Sequence, residues 1–181
     1  MVLGSWFLVA LWLPFGVIRP AYAFHTLPEP QALAQLGTLT YGRFGVAGEP
    51  GAELRGWQVA GPARAGGALE VALMWHALAR QNRDWTVFIH LVDASDQIVA
   101  EDNRPPQDGA FPMTQWVAGD WVQDYHTIDL PAGLAPGSYT LRVGLYDIGN
   151  GRRAGVRDRN KHLVGDYLDV GSIIVEKGGG S

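Results

Sequence analysis

The sequence predicts an all-β fold, an immunoglobulin-like sandwich of two sheets and seven or eight strands, preceded by one N-terminal hydrophobic helix. Four observations carry that prediction. A Pro136-Gly137 turn feeds a strand whose Tyr139, Leu141, Val143 and Leu145 all point one way, the alternation of a half-buried strand. A tyrosine just after such a turn matches the tyrosine corner that opens a late strand of these sandwiches, its hydroxyl bonding back to nearby backbone. Trp85-Thr-Val-Phe-Ile-His-Leu-Val-Asp93 is apolar on both faces, as expected of a strand covered by a second layer. Finally, short apolar runs separated by turn residues recur along the chain without an internal repeat or a long amphipathic helix.

In chain order, Val2 to Ile18 is a charge-free run containing Leu3, Trp6, Phe7, Leu8, Val9, Leu11, Trp12, Leu13, Phe15 and Val17. As a helix it would span about 26 Å, at the short end of what a hydrocarbon core of about 30 Å requires. Two readings fit. Trp6, Trp12 and Tyr22 suit the interfaces of a membrane span that ends at Arg19-Pro20. Ala21-Tyr22-Ala23 suits a cleavage site, although no Lys or Arg precedes the run as in a signal's charged region. Residues 1–23 are thus a transmembrane anchor or signal peptide, with membrane lipid the partner of residues 2–18. The globular part is expected outside the cytoplasm, membrane-anchored, or secreted if the segment is cleaved.

Residues 24–50 carry Pro28, Pro30 and Pro50 and read as a linker, with Gln31 to Leu36 able to form a helical turn. From Glu53 the rhythm becomes β. Leu54 to Val59 is a first strand, Gly61-Pro62 and Gly66-Gly67 supply turns, and Leu69, Val71, Leu73 and Trp75 line one face of a second. After the third strand, Trp85 to Asp93, Ala94-Ser95-Asp96 turns into Gln97 to Asp102 as a hairpin. Asn103 to Pro112 holds three prolines, which lack ladder donors, and is a long loop. Trp116 to Leu130 brings the chain back, with Val122 and Tyr125 to Leu130 strand-like, before Pro131 to Gly137; Asn150-Gly151 suits the left-handed positions of a turn, and Tyr167 to Val175 ends the domain. The sandwich therefore occupies 51–177, and Gly178 to Ser181 is a flexible tail. A core of this size, roughly 130 to 150 residues, buries on the order of two-thirds of its unfolded surface and needs no disulfide or metal.

The chemistry is less specific than the fold. A net charge of −4 gives no basic field to gather nucleic acid, and the absence of cysteine removes thiol nucleophiles. No Walker, dinucleotide or GxSxG pattern is present, and the five histidines show no zinc spacing, so no cofactor is implied. Asp93, Asp96, Asp102 and Asp108 are weak calcium candidates, since they could bring oxygen ligands to one end of the sandwich. Most such aspartates form turns. His90, inside the two-sided apolar strand, reads as a buried imidazole bonded to backbone or to a neighbouring Asp. Trp116, Trp121, Phe111 and Tyr125 around the proline-rich loop are candidate glycan-stacking residues, because an amphipathic ring offers a flat apolar face and a polar edge. The plainer reading has Trp116 and Trp121 pinning the loop over a sheet edge. Arg152, Arg153, Arg157 and Arg159 form a basic cluster that could meet anionic headgroups.

Leu54-Arg-Gly-Trp57, Leu73-Met-Trp-His-Ala77, Thr86 to Asp93, Asn103-Arg-Pro-Pro106, Trp116-Val-Ala-Gly119, Asp124-Tyr125 and Pro136 to Asp147 together resemble the C-terminal β-sandwich domain of bacterial polytopic membrane glycosyltransferases of the mannosyltransferase-like type. The resemblance covers roughly Glu53 to Val175 and implies a domain that follows a last membrane helix, as Val2 to Ile18 would be. The many-helix catalytic region and its acidic loop motif have no counterpart here. Glycosyl transfer is therefore carried over to no residue.

These readings converge on a non-catalytic, membrane-tethered extracytoplasmic module that binds or positions glycan or a surface partner. A structural or assembly subunit of a membrane protein complex is the first alternative. A carbohydrate-active enzyme using Asp93, Asp102 or Asp124 is the second.

Overall fold

The computed structural model describes residues 26–46 and 51–178. The apolar run at 2–18, with its anchor and signal readings, and residues 179–181 of the tail lie outside the described residues. Among the described residues no helix is long and apolar enough to cross a membrane.

One short helix, α1 (Glu29–Ala34), precedes eleven strands: β1 (Thr38–Gly45), β2 (Ala52–Ala60), β3 (Ala63–Arg64), β4 (Ala68–Ala77), β5 (Trp85–Val92), β6 (Ile98–Arg104), β7 (Trp121–Asp129), β8 (Gly137–Asp147), β9 (Gly155–Arg157), β10 (Leu163–Gly165) and β11 (Leu168–Glu176). They form a larger sheet in the order β10-β9-β1-β2-β4-β7 and a smaller one in the order β3-β11-β8-β5-β6. Neighbouring strands run antiparallel except the two-residue β3, which is parallel to β11. The seven strands legible in the sequence are β2, β4 to β8 and β11; the rest are additions.

The segment read as a linker is the main correction. Residues 38–45 form β1, which lies between β9 and β2 in the larger sheet, and α1 covers Gln31 to Ala34 of the expected helical turn. Its sequence hid the strand because Phe44 is the one large apolar side chain it buries, while Gly42 sits tight against Leu168 and Val156.

Alternation places the core between the sheets. Leu54, Trp57, Val71, Leu73 and Trp75 of the larger sheet meet Val87, Ile89, Leu91, Tyr139, Leu141 and Val143 of the smaller in one cluster. Phe44 meets Trp75 edge-on at 5.3 Å, the favoured aromatic arrangement. An irregularity in the β2 register between Leu54 and Gly56 puts Leu54 and Trp57 on the same inner face, which strict alternation would not do. A Cβ on Gly171 would collide with the Trp57 ring, so glycine there admits the indole.

The tyrosine corner is present: the Tyr139 hydroxyl donates to the Ala135 carbonyl at 2.7 Å, tying the turn to the first residues of β8. All eight residues of β5 are buried, yet its outer side is covered by side chains rather than by a further sheet. Phe88 lies over Gly144, where any side chain would clash, and under the Arg153 guanidinium, 4.6 Å from the ring centre.

Candidate functional site

Pairing register sorts the outward side chains of the larger sheet into rows. Glu53, His76 and Trp121 lie opposite one another on β2, β4 and β7, and Arg43 and Arg157 extend that row across β1 and β9. The next outward rows are Gly56, Met74 and Gln123, then Gln58, Ala72 and Tyr125, then Ala60, Glu70 and Thr127. Residues between them, such as Leu54, Trp75, Val122 and Leu73, point into the core.

The chain from Leu27 to Leu36 straps across this face. The Leu27 amide donates to the Trp121 carbonyl at 2.8 Å, Ala32 packs on Met74 and Trp121, and the Leu36 carbonyl lies against Gly56. Glycine is required there because a Cβ would occupy that carbonyl's place. The strap leaves two polar areas, one on each side.

On one side Tyr125 is 42% exposed and, with Gln58, Val59, Ala60, Glu70, Val71 and Ala72, lines a shallow depression of about 70 Å³. Ala72, directly opposite Tyr125, leaves the ring's flank open, while Gln58 and Glu70 supply hydrogen-bonding groups. Partial burial of the phenol pushes its pKa up, keeping it a neutral donor and acceptor.

On the other side Glu53 accepts from the Tyr41 hydroxyl at 2.9 Å and from Arg55 at 3.1 Å. Burial first, then the hydrogen bond to Glu53 and its charge, raises the Tyr41 pKa. Arg55 also lies 5.6 Å from the Trp121 ring centre, His76 packs on that ring at 4.5 Å, and Arg159 sits 5.3 Å from the centre of Tyr41. The buried His76 Nδ1 has no hydrogen-bond partner, its nearest carboxylate being Glu53 at 3.7 Å.

Elsewhere the expected site residues do other work. Trp116 is fully buried, its indole N–H donating to the Phe111 carbonyl at 3.0 Å, and Phe111 packs on it at the core's edge. Trp121 is 3% exposed under α1. Neither tryptophan offers a ring face to a sugar. Of the aromatic candidates Tyr125 does.

The calcium candidates are not gathered. Asp93 caps its own turn through the Ser95 and Gln97 amides, Asp96 meets Arg142 at 2.8 Å, and Asp102 and Asp108 both engage Arg104. Among the described residues no group of three or more His, Cys, Asp or Glu could hold a metal ion. The basic cluster is divided as well. Arg153 covers Phe88 on the smaller sheet and lies 3.6 Å from Asp166, whereas Arg157 and Arg159 belong to the larger sheet's side and Arg152 is exposed in the turn.

Sequence reasoning missed a buried charge cluster where β6 and β7, the free edges of the two sheets, approach. The His126 ring meets Asp102 at 2.7 Å through Nδ1 and Asp124 at 2.8 Å through Nε2. Facing two carboxylates, the ring donates from both nitrogens as an imidazolium. Burial lowers its pKa, but the Asp124 charge and both hydrogen bonds outweigh that and raise it to about 9. Burial likewise raises Asp102, and hydrogen bonds from His126 and Arg104 outweigh it, so its pKa falls below the usual carboxylate value. The other Asp124 oxygen accepts the Gln107 amide at 2.7 Å, and Gln107 and Asp108 take left-handed backbone angles (φ 52° and 55°) to bring that about. The alternation of Asp124 and His126 with outward Tyr125 was the available signal. His90 is buried as expected, but the acidic residue near it is Glu101 at 3.4 Å rather than an aspartate, and burial lowers its pKa.

No protein-family model matches the chain, and no curated protein matches it. Among solved structures it is similar to the C-terminal domain of Wzt, at 14% identity and a TM-score of 0.44, with 74% of this chain and 77% of that one covered. None of these comparisons bears on the resemblance to the glycosyltransferase accessory domain.

Proposed function

We propose that the chain is a non-catalytic immunoglobulin-like module that binds or positions glycan on the outer face of its larger sheet. The observation that carries this reading is the exposed Tyr125 beside the Ala72 gap, with Gln58 and Glu70 within the same depression. A flat ring bordered by hydrogen-bonding side chains suits a sugar, which presents apolar C–H faces and polar edges. The module lies outside the cytoplasm, tethered by residues 2–18 or secreted if they are removed, and the glycosyltransferase accessory domain is the family it resembles. The charge-free run supports the tether.

The enzymatic alternative is weaker because its carboxylates are already engaged. Asp93 holds a turn, and Asp102 and Asp124 hold His126. Asp124 is fully buried, with no room for a substrate. Binding of the full chain to an array of defined oligosaccharides tests the proposal. Wild type and Tyr125→Phe are expected to bind and Tyr125→Ala to lose binding with its melting temperature unchanged. Equal binding by Tyr125→Ala, or none by wild type, would overturn it.

A further inference from the structure

The area beyond the strap has a charge pattern that the glycan reading alone does not require. Arg43 and Arg157 are directly opposite each other on β1 and β9, and like charges so placed repel. Arg55 and Arg159 flank them through Glu53 and Tyr41. Glu53 is the carboxylate in their midst, and Tyr41 and Arg55 already occupy its oxygens. Arg43, Arg157 and Arg159 have no carboxylate within ion-pair distance among the described residues. On the far side of Glu53 in the same row, the buried His76 Nδ1 is left without a hydrogen-bond partner. A surface that holds guanidinium groups together without their counter-charge is arranged for an anion from outside, and guanidinium matches a carboxylate's two oxygens.

We propose that this row binds the carboxylates of an acidic glycan, Arg43 and Arg157 gripping the charge and Tyr41 bordering the sugar. The proposal rests on the glycan reading and names the class of glycan. The row and the Tyr125 depression share one sheet face on either side of the strap, four residues apart along β4 from His76 to Ala72, or about 13 Å, with Arg43 and Arg157 on β1 and β9 beyond β2. A membrane headgroup fits less well, because Arg153, which a membrane-facing basic loop would present together with Arg157 and Arg159, is turned to the other sheet over Phe88.

The test measures binding of the full chain to oligogalacturonate, to neutral dextran oligosaccharide, and to vesicles of phosphatidylcholine with and without phosphatidylglycerol. Oligogalacturonate is expected to bind more tightly than dextran and to weaken with salt. Arg43→Gln with Arg157→Gln should cost roughly tenfold or more in oligogalacturonate affinity, with the melting temperature held or raised as the repulsion is relieved. Unchanged oligogalacturonate affinity in the double variant would overturn the inference. So would Arg-dependent binding to anionic vesicles without binding to oligogalacturonate, which makes the row a headgroup site. Tyr125-dependent binding of dextran with no preference for the acidic sugar overturns this inference and leaves the proposed function standing, whereas no binding to any glycan overturns both.

Discussion

Two histidines of the larger sheet sit beside carboxylates, and their surroundings divide structure from candidate function. His126 faces inward at the β6–β7 edge, and each ring nitrogen meets an aspartate. His76 faces outward on β4, four strand positions from the Tyr125 row, and its Nδ1 stops 3.7 Å short of Glu53. The first group is complete: every charge has its counter-charge, and Arg104 adds a bond to Asp102 at 2.6 Å. Among the described residues the second is open, with a surplus of guanidinium groups and an unpartnered nitrogen. Closed charge clusters hold a fold together, whereas open ones are available to a ligand.

The largest expected effect is on the closed cluster. Asp124→Ala leaves a buried imidazolium with one partner and removes the acceptor of the Gln107 amide. Breaking a buried pair from one side costs about 3–5 kcal/mol. Urea unfolding should show a loss of that size, and a loss below about 1 kcal/mol would break the contrast by placing His126 among ordinary surface groups.

A second consequence is pH dependence of the same cluster. His126 has its folded-state pKa raised from 6.5 to about 9, so its stabilisation is fully present below about pH 6.5 and declines as pH rises through about 9. The shift corresponds to about 3 kcal/mol. Asp102, lowered in the fold, adds stabilisation that is present above its ordinary value and lost as pH falls through its folded one. Thermal melts of wild type should fall between pH 6.5 and 9.5, and those of His126→Gln should be flatter. Equal slopes for the two would dissolve the assignment.

The sequence made the two clusters unequally legible. Strands β4, β5 and β8 announce themselves because their inward positions are long apolar side chains at a period of two. Neither cluster follows that rule. Asp102 and Asp124 are far apart in the chain and meet because β6 and β7 are the facing free edges of different sheets. The Arg43–Glu53–His76 row needs β1, whose glycines and single buried phenylalanine read as a spacer. Trp116 and Trp121 misled in the opposite direction. Residue type suited a sugar, but the loop and α1 bury both rings.

Between these extremes lies Tyr139, whose hydroxyl is a single neutral bond to Ala135. Tyr139→Phe keeps the ring in the core and removes that bond, so a loss of about 1 kcal/mol is expected in urea unfolding, less than any break in the His126 cluster. A loss above about 3 kcal/mol would mean that corner, rather than the charge cluster, is the tighter tie between turn and sheet.

The smallest effect on stability should come from Glu53→Gln, and it is the sharpest test of what openness means. Glutamine keeps an oxygen for the Tyr41 hydroxyl and gives up the charge facing Arg55, whose side chain is 35% exposed. With Glu53 itself 13% exposed and only the Arg55 end open to water, the ion pair contributes about 0.5 kcal/mol, so the melting temperature should move little. Binding should move in the other direction. Removing the one carboxylate that the described residues place in their midst leaves Arg43, Arg55 and Arg157 less neutralised, and oligogalacturonate affinity should rise a few-fold at low salt, with the gain fading at high salt. Were Glu53→Gln instead to unfold the protein as readily as Asp124→Ala, the outward row would be a second closed cluster, with Glu53 its keystone and no charge to spare for a ligand.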